Sequence, residues 1–185
     1  MDIRDFVKVY NLLTPSECDD VINNHLAGEW LPHQWYNHVD GKMYGKADDC
    51  HNNRFDEATN AKICDAVIEV SEDYLRSYNL AKVFSGLTIP RLNRYTPGQR
   101  MGRHFDHIHS IFDGKSKGIP IMSYVIKFND DYEGGDLRFN YLDGTNENVE
   151  LGVGDVVLWP SVFLYPHEVT PVTKGTRITA VMWGW

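Results

Sequence analysis

The residues best equipped for chemistry sit in the stretch Thr88-Ile-Pro-Arg-Leu-Asn-Arg-Tyr-Thr-Pro-Gly-Gln-Arg-Met-Gly-Arg-His-Phe-Asp106. Alternate side chains of an extended strand share a face, so His104 and Asp106 point the same way and can grip one cation. A third ligand has to come from elsewhere. His167, in Tyr165-Pro-His-Glu-Val-Thr-Pro171, lies in a second strand-like segment far enough along the chain to return to the first across a sheet. Two imidazoles and one carboxylate form a facial triad, a set that favours non-haem Fe(II) because it leaves the opposite positions for an organic cosubstrate and dioxygen. Arg177, in Lys174-Gly-Thr-Arg177, adds a permanent fork-shaped cation suited to hold a dicarboxylate through two hydrogen bonds. A lone His-x-Asp is an ordinary surface ion pair. The second histidine and the arginine are what raise it above that.

Elements must bring these residues together, and the chain alternates accordingly. Phe6–Tyr10 reads as a short strand, and Thr14-Pro-Ser-Glu17 is a capping box with proline at the first helical position, predicting a helix to about Ala27. Its apolar stripe of Cys18, Val21, Ile22, His25 and Leu26 implies packing against a sheet. From Gly28 to Asn53 the chain is polar but keeps Trp30, Trp35, Tyr36, Met43 and Tyr44, which suggests one or two irregular strands with a hairpin. Trp30 reads as a half-buried filler, whereas Trp35, Tyr36 and Tyr44 are candidates for lining a substrate groove. Asp56 can cap a longer helix to about Tyr78, with Ala61, Cys64, Val67, Ile68, Ser71, Tyr74, Leu75 and Tyr78 on one face. Beyond Ala81 the pattern becomes strands at about 87–95, 101–108, 120–129, 136–141, 147–151, 155–160, 165–172 and 176–184, a series that suggests a sandwich or jelly roll.

At 185 residues the chain reads as one domain, 1–185, large enough to bury roughly two-thirds of its unfolded surface. Within it, 1–80 supplies helical support and a substrate loop, and 81–185 the β core. With 18 Lys plus Arg against 26 Asp plus Glu the formal charge is −8, which argues against non-specific nucleic-acid or anionic-membrane partners. The Arg91, Arg94, Arg100, Arg103 series reads most simply as a solvated strand face. No apolar run nears the roughly 20 residues of a membrane helix, and Met1-Asp-Ile-Arg-Asp-Phe6 lacks a signal-peptide core, so a soluble, cytoplasmic protein is expected. Cys18, Cys50 and Cys64 are odd in number and without Cys-x-x-Cys spacing, so no disulfide framework is expected. His107 and His109 read as supporting or surface residues, and His25, His33, His38 and His51 lack the spacing of a second metal site.

Five motifs in order carry a resemblance: Arg94-Tyr-Thr-Pro-Gly98, His104-Phe-Asp106, Asp131-Tyr-Glu-Gly-Gly-Asp-Leu137, Gly154-Asp-Val-Val-Leu-Trp-Pro160 and Pro166-His-Glu-Val-Thr-Pro-Val-Thr-Lys-Gly-Thr-Arg177. Together they resemble the Fe(II)- and 2-oxoglutarate-dependent prolyl hydroxylases, especially the bacterial PKHD-type group and, more distantly, the hypoxia-sensing enzymes. The resemblance runs from Thr88 to Trp185, about half the chain. It implies a double-stranded β-helix (jelly roll, cupin-like), mainly β with flanking helices, in which the N-terminal helices brace one sheet. It further implies Fe(II) on His104, Asp106 and His167, with 2-oxoglutarate as cosubstrate, O2 as oxidant and ascorbate as reductant. Arg177 would take the C5 carboxylate and Tyr95 would line its pocket. Lys127 lies near a position where the hypoxia-sensing enzymes place a tyrosine on that carboxylate, so it either assists Arg177 or faces solvent. Trp183 matches a tryptophan of the active-site wall, and ordinary core packing would explain it equally well.

The activity so implied is hydroxylation of a prolyl residue in a peptide or protein, with 2-oxoglutarate decarboxylated to succinate. Segments around Trp35 to Tyr44 and Ser110 to Gly118 are expected to clamp the substrate. Hydroxylation of a free amino acid or other small molecule is the alternative within the same chemistry. A non-catalytic cupin-like metal-binding module is the alternative outside it, and the intact His-Asp-His-Arg set argues against that one.

Overall fold

The computed structural model describes residues 2–37, 39–107, 111–113, 116–117 and 119–185, with 111–113 and 116–117 described only as paired strands. A 3-10 turn, Ile3–Phe6, leads into β1 (Lys8–Asn11). The capping box then starts α1 (Pro15–His25) as its sequence predicts, with the Thr14 hydroxyl accepting from the Glu17 amide and the Glu17 carboxylate accepting from the Thr14 amide. Next come β2 (Leu31–Pro32), a hairpin of β3 (Trp35–Asn37) and β4 (Lys42–Tyr44), and β5 (His51–Arg54). Helix α2 (Glu57–Ser77) follows, capped by the Asp56 carboxylate. Strands alone occupy the rest: β6 (Arg91–Tyr95), β7 (Met101–His104), β8 (Ile111–Asp113), β9 (Ser116–Lys117), β10 (Met122–Lys127), β11 (Tyr132–Gly134) and β12 (Leu137–Asn140), then β13 (Asn146–Asn148), β14 (Asp155–Pro160), β15 (His167–Val169), β16 (Val172–Gly175) and β17 (Arg177–Gly184).

A seven-stranded sheet in the order β1-β14-β10-β17-β6-β5-β2 faces a four-stranded one in the order β13-β12-β15-β7, and β11-β16, β3-β4 and β8-β9 form small pairs. Successive core strands alternate between the two sheets, with β6, β10, β14 and β17 in the larger and β7, β12 and β15 in the smaller. That alternation winds the chain into a double-stranded β-helix. The N-terminal part gives more than helices, since β1, β2 and β5 extend the larger sheet.

Period-two alternation sorts the larger sheet's two faces. One face carries Leu92, Ile126, Leu158, Ile178, Ala180 and Met182 and packs on Cys18, Ile63, Val67 and Leu75 of the helices. The other carries Val125, Val157 and Trp159 and meets Leu137, Phe139 and Tyr165. A strand such as β14, buried on both sides, has to read as a continuous apolar run, which is why Val156-Val-Leu-Trp159 shows no polar alternation. Burying each such side chain stabilises the fold by about 1.5–3 kcal/mol. Along the same inward face, away from this apolar end, stand Arg91, Asn93 and Tyr95 of β6 and Arg177 and Thr179 of β17, paired in register as Tyr95 with Arg177 and Asn93 with Thr179. One end of the interior is therefore hydrocarbon and the other is polar.

Four expectations are corrected. The strand expected over 101–108 ends at His104, and the strand expected over 165–172 divides into β15 and β16 around Thr170-Pro171, where proline cannot donate to a ladder. On α2 the buried stripe runs through Ile63 while Ala61 and Ile68 are exposed. Of the four arginines expected on a solvated strand face, Arg100 and Arg103 are exposed, but Arg91 and Arg94 are partly buried, with the Nε of each enclosed. Among the described residues no helix is long and apolar enough to cross a membrane.

Candidate metal centre and its pocket

His104 ends β7, His167 begins β15, and the two are direct Cα partners across an antiparallel pair. Cross-strand partners hold their side chains close, and the two imidazole centroids lie 4.3 Å apart. Asp106 arrives differently from what strand alternation predicts. It stands beyond the end of β7, and the turn of the chain after His104 brings its carboxylate in, with Oδ1 3.5 Å from His104 Nε2 and Oδ2 3.8 Å from His167 Nε2. One ligand atom from each of the three lies within 4.8 Å of the others, the one such cluster among the described residues.

The atoms behind the cluster fix its chemistry. His104 Nδ1 donates to the Gly102 carbonyl at 2.8 Å and His167 Nδ1 to the Tyr165 carbonyl at 3.0 Å. A carbonyl can only accept, so both hydrogens reside on Nδ1 and both Nε2 lone pairs face the cluster. Ser123 donates to Asp106 Oδ2 at 2.7 Å, which leaves its oxygen to accept from Ser161 at 2.7 Å. Burial pushes the Asp106 carboxyl up, but the neighbouring imidazoles and the Ser123 hydroxyl outweigh it and hold it well below the usual carboxylate range. Burial and the His104 charge push His167 down to about 4. For His104 burial acts in the same direction, yet the Asp106 hydrogen bond prevails and raises it. Asp106 is ionised and His167 unprotonated, as metal ligands must be, and the proton that Asp106 favours on His104 Nε2 has to leave for a metal ion to bind. Trp159, at 4.9 Å, and Phe139, at 5.7 Å, pack on the His167 ring and tie it to the apolar end of the interior.

Arg177 opens β17 and is only 3% exposed. Its guanidinium lies 5.0 Å from the Tyr95 ring centroid, and Nη1 donates to Thr179 Oγ1 at 3.1 Å. Its Nε has no partner, and among the described residues no carboxylate pairs with it. A buried, uncompensated cation costs several kcal/mol, so the pocket is built for an incoming anion. Gly135 makes the fit: it adopts φ +65°, and a Cβ there would stand 2.8 Å from Arg177 Cδ. The triad's donor set and the unpaired guanidinium thus suit, respectively, an Fe(II) ion and a carboxylate-bearing cosubstrate.

The other expected site residues fall in several places. Lys127 donates to the Leu151 carbonyl at 2.8 Å and is ion-paired with Asp130, so it has an anion of its own. Trp183 lies on the inward face beneath the Arg91 guanidinium, 5.3 Å from its ring centroid. Trp35 and Tyr44 stack at 5.2 Å on the β3–β4 hairpin and are 43% and 39% exposed, and Tyr36 is exposed beside them. His107 faces solvent. His38, His109 and, apart from the β8–β9 pairing, the Ser110–Gly118 segment lie outside the described residues. Ser123 and Ser161 were not expected at the site. For Ser123 the available signal was a small polar residue inside the largely apolar run Met122-Ser-Tyr-Val-Ile126, on the alternation that faces inward. A buried relay in which Asn93 accepts from Asn52 at 2.6 Å and Asn52 meets His33 Nδ1 at 3.0 Å was likewise unforeseen, since only strand pairing joins these residues.

Comparison with known proteins gives a consistent picture. The family model described as the 2OG-Fe(II) oxygenase superfamily matches residues 90–185. A PKHD-type hydroxylase of Shewanella sp. (strain MR-7) is 38% identical over 95 residues, covering 51% of this chain and 41% of that protein. One from Bordetella pertussis is 29% identical over 189 residues, covering 96% of this chain and 76% of that protein. The chain therefore spans well under half the length of the first relative. The crystal structure of a Pseudomonas putida prolyl-4-hydroxylase superposes with a TM-score of 0.68 at 20% identity, covering 98% of this chain and 96% of that one. A Trichoplax adhaerens prolyl hydroxylase, in complex with a hypoxia inducible factor oxygen degradation domain peptide fragment, gives 0.67 at 18%, covering 97% and 83%. The match runs through both histidines, the aspartate and the buried arginine, so the geometry above and the sequence agree that the chain belongs to the 2OG-Fe(II) oxygenase superfamily.

Proposed function

We propose that the chain is an Fe(II)- and 2-oxoglutarate-dependent dioxygenase that hydroxylates a prolyl residue within a peptide or protein. The observation that carries the reading is the buried Arg177 guanidinium, left without a carboxylate on the inward face of the larger sheet, which looks across the interior at the smaller sheet that carries both histidines of the His-Asp-His cluster. His104, Asp106 and His167 would hold the metal through two Nε2 atoms and one carboxylate oxygen. Fe(II) bound there supplies the oxidative chemistry that couples decarboxylation of 2-oxoglutarate to succinate and CO2 with insertion of one oxygen atom of O2 into a substrate C–H bond. Arg177 would take the far carboxylate of 2-oxoglutarate, Tyr95 backing the guanidinium and Thr179 fixing its rotation. The carbonyls of Gly102 and Tyr165 keep the imidazoles turned, and the Ser161–Ser123 relay keeps Asp106 turned and ionised.

For the substrate, support comes from the exposed hairpin. A stacked Trp35–Tyr44 pair with Tyr36 beside it offers rigid aromatic surface, larger than a free amino acid needs and suited to remote contacts along an extended chain. The peptide-bound Trichoplax neighbour adds weight to that reading.

Anaerobic addition of Fe(II) and 2-oxoglutarate should give a weak visible charge-transfer band only when both are present. His104→Ala, Asp106→Ala and His167→Ala should each abolish it while the protein stays folded, and His107→Ala should retain it. Mass spectrometry of prolyl peptides incubated with enzyme, Fe(II), 2-oxoglutarate and ascorbate should then show one added oxygen on proline. Efficient hydroxylation of free proline with no product from a diverse prolyl-peptide library would replace the peptide substrate by a small molecule.

A further inference from the structure

The inward face of β6 carries a second guanidinium that neither metal nor cosubstrate uses. Arg91 shares its face with Asn93 and Tyr95 but lies at the other end of the strand from the Arg177 pair, roughly 13 Å away at 3.3 Å per residue. Its Cζ stands 5.3 Å from the Trp183 ring centroid, and the Cα partner of Trp183 is Ser123, the hydroxyl that anchors Asp106. Its Nε is buried without a hydrogen-bond partner, and among the described residues no carboxylate pairs with it. Across β5 its direct Cα partner is Arg54, which is exposed. Two cations facing each other across a strand pair repel, and an anion placed between them reverses that sign.

We propose that Arg91, with Arg54 on its outer side, is an anion-binding subsite on the substrate side of the metal pocket, and that it selects a primary substrate carrying a carboxylate close to the carbon that reacts. The proposal rests on the hydroxylase reading above and goes beyond it by naming what the substrate must present. Stacking on Trp183 covers a face of the guanidinium and leaves its edge, the fork of N–H donors, free for a carboxylate. That carboxylate has two possible sources, the side chain of an acidic residue beside the target in a peptide, or the α-carboxylate of a free amino acid. A purely structural Arg91, held for its stacking on Trp183, would confer no preference for either.

Calorimetry on the protein loaded anaerobically with Fe(II) and 2-oxoglutarate tests this with two matched pairs: peptides differing only by Glu or Gln next to proline, and proline against prolinamide. In one pair the carboxylate member should bind about tenfold more tightly. Arg91→Gln should bring that ratio near one without altering 2-oxoglutarate affinity, and Arg91→Lys should keep most of it. Arg54→Gln, at an exposed position that tolerates change, should lower the ratio by a smaller factor and so tests the subsite even if Arg91→Gln folds poorly. Preference in the peptide pair identifies an acidic side chain. Preference only for proline over prolinamide identifies the free carboxylate, retiring the peptide reading while the subsite stands. Equal binding within both pairs by the wild type, or a ratio unmoved in Arg91→Gln and Arg54→Gln, overturns the proposal.

Discussion

Asp106 shows how a few atoms set the character of the site. Burial alone would favour its neutral acid, yet three polar neighbours reverse the balance, and of these only Ser123 is no metal ligand candidate itself. Ser123→Ala should therefore leave the fold intact but weaken Fe(II) binding by about 10–100-fold, as loss of a ligand-orienting hydrogen bond commonly does. A chelator competition would read this directly, and an unchanged affinity would mean that Asp106 is oriented by the chain turn alone. Arg177→Ala tests the other half of the pocket. Losing a buried, charged contact to a carboxylate typically costs about 2–5 kcal/mol, which should emerge as a large rise in the Michaelis constant for 2-oxoglutarate. An unchanged constant would transfer the role to Lys127, against the partners it has in Asp130 and Leu151.

Among the elements, the turns matter as much as the strands. Gly135 follows β11 at φ +65°, with Arg177 Cδ and Val172 Cγ2 2.8 and 2.9 Å from where a Cβ would be. Gly135→Ala should shift the arginine and raise the 2-oxoglutarate Michaelis constant, with Fe(II) affinity nearly unchanged because the triad lies on other strands. Gly154 precedes β14 at φ +87°, and a Cβ there would meet the Leu13 carbonyl at 2.0 Å. That carbonyl belongs to backbone that cannot yield, since Leu12 and Leu13 both donate to the Gly154 carbonyl at 2.9 and 3.0 Å. Gly154→Ala should accordingly destabilise the whole protein by more than about 1 kcal/mol, seen in urea unfolding as a lower midpoint at constant slope. The contrast between the two glycines separates a residue that shapes the pocket from one that joins the N-terminal strand to the sheet.

The molecule as a whole divides its interior between a hydrocarbon end, centred on Phe139 and Trp159, and a polar end where the Nε atoms of Arg91 and Arg177 are buried without partners. A cavity prepared for charged ligands is a destabilised one until they arrive, so ligand binding should feed back on stability. At a hundredfold excess over the dissociation constant, Fe(II) with 2-oxoglutarate should add about 2.7 kcal/mol, a rise of roughly 5–10 °C in Tm for a chain of this size. Anaerobic scanning fluorimetry would register it, and Arg177→Ala should lose the part contributed by 2-oxoglutarate. The exposed hairpin belongs to the same scale, because its aromatics lie on no core. Trp35→Ala should leave Tm and Fe(II) binding unchanged and weaken turnover of prolyl peptides.

What could be read from the chain alone was whatever depends on neighbours in sequence. Capping boxes, helical stripes, the apolar run of a strand buried on both faces and the order of five motifs are local, and they led to two N-terminal helices, a β-helix and the His-Asp-His-Arg set. Pairing across strands is not local. That His104 and His167 are direct partners, that Asp106 arrives by a turn after the strand, and that Arg177 meets Tyr95 while Arg91 meets Arg54 all follow from register, which no single strand encodes. Nor does a sequence show which serine in an apolar run points inward until the sheet's two faces are assigned. Tertiary structure decided that Ser123 serves the carboxylate and that two arginines expected on a wet surface are half-buried. A side chain's surroundings are set by strands from distant parts of the chain, and desolvation, which governs charge, exists only once they close around it.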